Sequence, residues 1–467
     1  MPTSDPAILE RYPKATAGEL VEALAAGRVS SSDLTEAAIA RIEALDGEIN
    51  AVVARDFDGA RAAAREADRA LARGERRPLL GLPMTVKEAH HTVGMATTWG
   101  LKPSAGWMAE ADSVGVARLK AAGAVILGKT NVPPNLGDWQ SSNPVYGRTR
   151  NPHDLSRSPG GSSGGSAAAL AAGMVPLEFG SDIGGSIRVP AHFCGVFGHK
   201  PSWGLVPTEG HSPPGVVGGA EIPFGVVGPM ARSASDLELA LGVLAGPAGI
   251  EAKALRIHLP PARAARLADF RVLVLDRHPL VGASREVLSA LHGLADRLEA
   301  SGAKVARQSP RLPNLAAAHG FYMNLLGVLM NMGAPRREGD PPPMTAEAWV
   351  VGLHARESFK RQWEALFHDF DVVLAPPFGT AAFPHDDSPA RERTLTIDGE
   401  RTPYFSQLAW PGVATFPGLP ATCAPAGRTD EGLPVGVQII GAYWEDLTCL
   451  KFAELMEREL GLGVSPP

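Results

Sequence analysis

Residues 159–190 read PGGSSGGSAAALAAGMVPLEFGSDIGGSIRVP, and the order of features along them decides the fold. A glycine-serine loop, 160–165, comes first. Residues 166–172 follow as a short alanine-rich helix, ended by Gly173, which takes up left-handed backbone at little cost. An apolar strand occupies 175–179, and 181–186 form a second glycine-serine turn. Loop, helix, strand and turn in close succession are the texture of a sheet with helices packed on it.

The same alternation extends in both directions. Upstream, 83–86 is a short strand running into Lys87, 114–122 is helical, and 124–127 (AVIL) is a buried strand. Downstream, 272–275 is a strand, 286–300 a helix, and 304–305 opens another strand. Strands at 372–374 and 435–440 precede a final helix over 447–460. This pattern predicts an α/β fold whose sheet is covered on both faces. Residues 1–75 read as a helical region. Leu20, Val21 and Leu24, then Leu34, Ala37, Ala38, Ile39 and Ile42, recur at helical spacing, and the serines before Asp33 supply a cap. Residues 58–73 form a charged, solvated helix. Residues 310–350 show few strand signals and are expected to be an insertion carrying pocket residues. One domain is expected over 1–467.

Composition narrows the function. With 45% hydrophobic and 20% charged residues among 467, the chain is globular. Its 52 Gly and 41 Pro have no G-X-Y period, so they mark turns and close backbone approaches. Fifty acidic against 44 basic residues leave a net charge of −6, which argues against a nucleic-acid partner. Cys194, Cys423 and Cys449 have no metal-binding spacing and are too few for a disulfide framework. Residues 1–14 have no apolar core of signal-peptide type. The best membrane candidate, 167–179, is broken by Gly173, Pro176 and Glu178. A cytoplasmic protein, monomer or homodimer, without membrane contact is expected.

Two motifs mislead. Residues 123–130, GAVILGKT, satisfy the phosphate-loop pattern, but the four variable positions are a strand signature and Pro133 and Pro134 follow. Residues 161–165, GSSGG, satisfy the G-x-S-x-G elbow, but the polar, proline-bounded 151–159 before it is a loop where the elbow needs a strand.

The turn at 181–188, SDIGGSIR, carries chemistry. A strand ends, two glycines permit a tight turn, and Ser186 lies where the next helix would begin. Successive backbone N–H groups converge at such a turn and can hold an oxyanion, and a serine there can attack a carbonyl whose oxygen enters the hole. That serine needs a base. None of the 13 histidines has a telling position; His90, His91, His192 and His199 lie nearest the motifs. A lysine held neutral by burial can serve instead, and Lys87, ending an apolar strand, is the candidate.

The combination resembles the amidase signature family. The resemblance rests on Gly160-Gly161-Ser162-Ser163-Gly164-Gly165-Ser166 followed by Asp182-Ile183-Gly184-Gly185-Ser186-Ile187-Arg188-Val189-Pro190. It extends to Pro83-Met84-Thr85-Val86-Lys87-Glu88, Thr97-Thr98, Gly128-Lys129-Thr130-Asn131, Asn143-Pro144-Val145-Tyr146-Gly147, Phe193-Cys194-Gly195, Gly198-His199-Lys200-Pro201 and residues 433–439. It implies a large mixed central β-sheet with helices on both faces, and a Ser–cis-Ser–Lys triad. Ser186 matches the nucleophile, Ser162 the bridging serine, preceded by a cis bond from Gly161, and Lys87 the base. The N–H groups of Ile183, Gly184, Gly185 and Ser186 match the oxyanion hole. Ser163, Asp182 and Arg188 match supporting residues, and Cys194 a structural one. No metal or organic cofactor is implied. Glu88 is expected to point away from Lys87.

Two departures bear on the activity. Glu88 stands where the family more often has Asp, and Ile183 and Val189 replace the Thr and Gln typical of tRNA-dependent amidotransferases. Ile183 and Val189 favour a stand-alone hydrolase over a transamidase, and the intact Lys87, Ser162 and Ser186 argue against a silent, non-catalytic subunit. The missing N-terminal span disfavours a membrane-anchored fatty-acid amidase. The pocket is expected from 207–224 and 316–349, with Phe321, Tyr322, Met323, Leu325, Leu326, Leu329, Met330 and Met332 as a stripe of core or pocket residues. Apolar or aryl amides are the expected substrates. Carbamates (urethanes) and esters, which also present a carbonyl with a leaving group, are the alternatives.

Overall fold

The computed structural model describes residues 5–216, 221–331 and 342–464. Two short parallel strands, Pro83–Lys87 and Leu177–Asp182, lie side by side, with Thr85 opposite Glu178 and Val86 opposite Phe179. Every residue of both is buried, which requires cover on both faces of the sheet. They are the third and fourth strands of an eleven-stranded sheet. Its order is Val52–Arg55, Val125–Thr130, Pro83–Lys87, Leu177–Asp182, Val226–Ala231, Phe197–Lys200, Ala421–Arg428, Pro434–Ile440, Val372–Ala375, Arg271–Val274, Lys304–Ala306. Parallel pairs flank Pro83–Lys87 and Arg271–Val274, and antiparallel pairs fill the centre. The fold is α/β with a large mixed sheet, as the sequence pattern and the resemblance predict.

Several boundaries move for identifiable reasons. The strand expected over 175–179 is Leu177–Asp182, because it pairs antiparallel with Val226–Ala231 along its whole length, from Leu177↔Ala231 to Asp182↔Val226. Ser181 and Asp182 are therefore strand residues, and the turn starts after them. The alanine-rich helix runs Gly164–Ala171 and is buried all round. It starts two residues early because Gly165 packs on backbone: a Cβ there would lie 2.3 Å from Asn131 N. The region 1–75 is not wholly helical. Val52–Arg55 forms the edge strand against Val125–Thr130. The helix Ser31–Ile49 begins at Ser30, whose side chain accepts from Asp33 N, and buries Leu34, Ala38, Ile39 and Ile42. The helix Phe57–Ala72 buries only alanines, as a solvated helix should.

The stretch 310–350 carries a helix, Leu315–Met330, capped by Asn314, and the start of a second, Ala346–Leu366. Of the apolar stripe, Tyr322, Leu325 and Leu326 are core, whereas Phe321, Met323 and Leu329 are half-buried. Met332, Pro341, Gly218 and Gly219 lie outside the described residues. The buried face joins an aromatic cluster with Trp139, Phe193, Phe224, Phe378, Tyr404, Leu408 and Phe416, against which Ile183 also packs. This cluster sets the environment of the second glycine turn. Among the described residues no helix is long and apolar enough to cross a membrane.

Glycine placement gives a paired test. A Cβ at Gly228 would lie 2.2 Å from His199 O in the sheet centre, whereas one at Gly47, in the exposed helix Ser31–Ile49, meets nothing within 4 Å. Gly228→Ala should lower stability by about 1–3 kcal/mol, and Gly47→Ala should raise it by about 0.5–1 kcal/mol. Both are read from denaturant unfolding.

Candidate active site

Lys87 closes its strand with a fully buried side chain. Its Nζ lies 2.6 Å from Ser162 Oγ and 2.8 Å from Ser181 Oγ, with the Ser181 carbonyl at 3.4 Å. Burial disfavours the ammonium and pulls the group down to about 7, although Asp182 and Glu178 pull it back up through space. Neither carboxylate forms an ion pair with it. Glu88 does point the other way, accepting from the N–H groups of Thr98 and Trp99. A lysine surrounded by hydroxyls and a carbonyl can be partnered while neutral, and so can exchange a proton near neutral pH.

The two glycine loops meet at this lysine. The Gly161–Ser162 peptide bond is cis. A Cβ on Gly161 would lie 2.3 Å from Asp138 O, so glycine is what lets the loop settle there. Ser163 N–H donates to the Ser186 carbonyl at 3.1 Å, which sets the second turn against the first. Ser163 Oγ donates to the Ser181 carbonyl at 3.3 Å. Exposure rises outward from 0% at Lys87 through 1% at Ser162 to 6% at Ser186, so Ser186, though buried, is the least enclosed of the three.

Asp182 and Arg188 brace the turn between them. Both are buried, with Arg188 Nη2 donating to Asp182 Oδ1 at 2.9 Å and Nε to Oδ2 at 3.0 Å. Arg188 also donates to Gln438 Oε1, the Pro411 carbonyl and Thr415 Oγ1. Burial pushes the Asp182 carboxyl up, but the Arg188 guanidinium outweighs it and holds the group at about 2. Asp182 also accepts from the N–H groups of Gly185, at 2.8 Å, and Ile187, at 3.1 Å. The Gly185 N–H, expected among the oxyanion-hole donors, is thus turned inward to a buried carboxylate that needs it. Among the described residues no acceptor engages the N–H groups of Ile183, Gly184 or Ser186.

Three residues given no role at the turn by the sequence, Ser181, Trp139 and Tyr322, bond to Lys87 or to the turn. Ser181 could have been found by extending the strand: it lies one residue beyond the position level with Lys87. Trp139 Nε1 donates to the Gly184 carbonyl at 3.1 Å, and Tyr322 Oη to the Ile183 carbonyl at 2.7 Å. Nothing local in the sequence signals either contact. Three of the four histidines nearest the motifs have hydrogen-bond partners away from the turn, and the fourth, His90, is buried with both ring nitrogens unpartnered among the described residues. His192 lies between Thr380 O and Gly436 N, His199 between Thr422 and Asp446, His91 by Ser212 O, and His90 stacks on Phe179 at 4.1 Å. Cys194 is buried, which pushes its thiol up, and its Sγ lies 3.5 Å from Pro159 O. Lys129 belongs to the strand Val125–Thr130 and donates to Ala96 O and Thr97 Oγ1, so residues 123–130 cradle no phosphate. A cavity of about 440 Å³ lined by Arg157, Thr380, Phe383, Arg393, Tyr404 and Leu433, among others, includes no member of the Lys87–Ser162–Ser186 group.

A mixed sheet brings two glycine-serine turns to a buried lysine, an arrangement suited to attack by an activated serine. Residues 33–332 and 342–450 match the amidase family, and the chain belongs to it. It is 34% identical to the AtzE component of 1-carboxybiuret hydrolase from Pseudomonas sp. (strain ADP), over 94% of this chain and 97% of that protein. A chain of the glutamyl-tRNA(Gln) amidotransferase of Roseiflexus sp. (strain RS-1) is also 34% identical, over 95% and 96%. Among solved structures, a bacterial aryl acylamidase of the amidase signature family superposes with a TM-score of 0.80 at 26% identity, over 95% of this chain and 96% of that one. The class of activity is hydrolysis of carbon–nitrogen amide bonds.

The brace can be tested for its structural weight. Removing one partner of a buried ion pair strands the other, at about 3–5 kcal/mol. Arg188→Leu should therefore lose about that much stability in urea unfolding, and Asp182→Leu/Arg188→Leu together should lose less than the single variant, since no charge is left unpaired.

Proposed function

We propose that the protein hydrolyses apolar or aryl amides through an acyl-enzyme on Ser186, with Ser162 and Lys87 carrying the proton. The observation that carries this reading is the 2.6 Å contact of a buried Lys87, brought down to about 7, with Ser162, beside a turn whose serine is the least enclosed of the three. Ser186 Oγ attacks the carbonyl carbon. Its proton passes to Ser162, whose own proton passes to Lys87. The carbonyl oxygen becomes an anion and accepts from the unengaged N–H groups of the turn. Collapse breaks the C–N bond, and the proton returns through Ser162 to the leaving amine. Water attacks the acyl-enzyme by the same relay and frees the acid.

The aromatic and aliphatic wall around Ile183 supports an apolar or aryl substrate, as does the likeness to the aryl acylamidase structure. The relatedness to a glutamyl-tRNA(Gln) amidotransferase makes glutamine the second reading. A panel of aryl amides, primary amides including glutamine, carbamates and esters tests both. Aryl amides should give the highest kcat/KM, and a preference for glutamine would displace the first reading.

The relay has its own signature. Ser186→Ala should lose activity by about three orders of magnitude or more while remaining folded. Activity should rise with pH through about 7, because only the neutral amine accepts a proton, and stay level on the alkaline side. Lys87→Ala and Lys87→Arg should both be inactive at every pH, since guanidinium stays charged. Single replacement of His90, His91, His192 or His199 should not abolish turnover. Near-full activity in Lys87→Arg, or a histidine variant as inactive as Ser186→Ala, would refute the lysine base.

A further inference from the structure

The carbonyl ends of three successive peptide planes in the turn are held. The Ile183 carbonyl accepts from Tyr322 Oη at 2.7 Å, the Gly184 carbonyl from Trp139 Nε1 at 3.1 Å, and the Gly185 carbonyl from Val189 N at 2.7 Å. In a trans peptide the carbonyl of one residue and the N–H of the next point in opposite directions. Each hold therefore aims one N–H. The Trp139 plane ends in the Gly185 N–H, already donated to Asp182. The Val189 contact is the first turn of the helix that follows, and it aims the Ser186 N–H. The Tyr322 plane ends in the Gly184 N–H, which has no acceptor among the described residues and is free to meet a substrate oxygen.

Glycine at 184 makes that plane easy to flip, because both signs of φ are open to a residue without a Cβ. Something outside the turn must select the orientation. Tyr322 is placed to do so. It is fully buried in the helix Leu315–Met330, and burial keeps its hydroxyl protonated at working pH, so it stays a donor. Its ring is itself fixed by packing edge-on to Phe224 at 5.7 Å.

We propose that Tyr322 is a positioning residue for the oxyanion hole: by holding the Ile183 carbonyl it aims the Gly184 N–H at the anionic oxygen of the tetrahedral intermediate. The proposal rests on Ser186 being the nucleophile. Tyr322 touches no reacting atom. Its effect belongs to the transition state, because the donor it aims is needed most where charge develops.

The test uses the full chain. Tyr322→Phe keeps the ring and removes the donor. A control is available in Tyr12, also buried, whose hydroxyl donates to the Met174 carbonyl at 3.0 Å, in a contact unrelated to the turn. Tyr322→Phe should lower kcat by about 10- to 100-fold, less than the loss of a whole hole donor, with KM changed by no more than about twofold. Affinity for a trifluoromethyl ketone, to which Ser186 Oγ adds to form a tetrahedral adduct, should weaken by about the same factor as kcat. Tyr12→Phe should lower Tm while leaving kcat and ketone affinity unchanged. Tyr322→Met, also without a donor, repeats the measurement if Tyr322→Phe does not fold.

If Tyr322→Phe matched Tyr12→Phe in kcat and ketone affinity, the proposal would fall. Equal losses in kcat and in ground-state binding would also overturn it, as a merely structural role. A fluorophosphonate probe separates the two readings. No label on wild-type Ser186 would remove the nucleophile itself, whereas a labelled Ser186 with unaltered turnover in Tyr322→Phe would remove only the role of Tyr322.

Discussion

A lysine amine buried without a carboxylate against it is the constraint on which the rest of the site depends. Burying a charge is costly, so burial disfavours the ammonium and brings Lys87 down to about 7. That outcome needs close packing on every side. The strand holding Lys87 is buried on both faces, the alanine helix behind the first loop is buried all round, and Gly160, Gly161 and Gly165 sit against backbone. Small residues exclude water here, and hydroxyls replace it as partners.

A few residues away the same chain takes the opposite solution. Asp182 and Arg188 are equally buried and keep their charges, because each finds a bidentate partner and further hydrogen bonds. The ion pair fixes the geometry of the turn, while the lysine without a salt bridge supplies the base in the proposed relay. Had Asp182 turned toward Lys87 instead, the amine would have regained its proton. Arg188 holds that carboxylate in place, in contact with the guanidinium and not with the lysine.

Much of this was legible in the residues. Strand and helix alternation pointed to the α/β class, and the turn at 181–188 pointed to Ser186 because a serine after two glycines has a physical reason to be reactive. Lys87 was conspicuous as a charge ending an apolar strand. What was hidden was long-range. The strands Phe197–Lys200 and Val226–Ala231 contain Gly198, Gly228 and Pro229, which read as loop signals; the two glycines are used because Ile187 and Ala191 pack on Gly198 and the His199 backbone on Gly228. Gly185 was placed with the hole donors because spacing does not reveal where a carboxylate three residues earlier will fold back. Trp139 and Tyr322 act across separations of 45 and 139 residues, beyond any local pattern.

The helix Leu315–Met330 has two faces of responsibility. Leu325 and Leu326 help build the apolar cluster beside the site, and Tyr322, one turn earlier, is bonded to the nucleophile turn. Repacking the cluster to admit a differently shaped molecule would rotate or slide the segment that carries the phenol. On the roles proposed for Tyr322 and the cluster, selectivity and speed are inherited together, and a descendant that acquired a new substrate would have to resettle the helix before it recovered its pace.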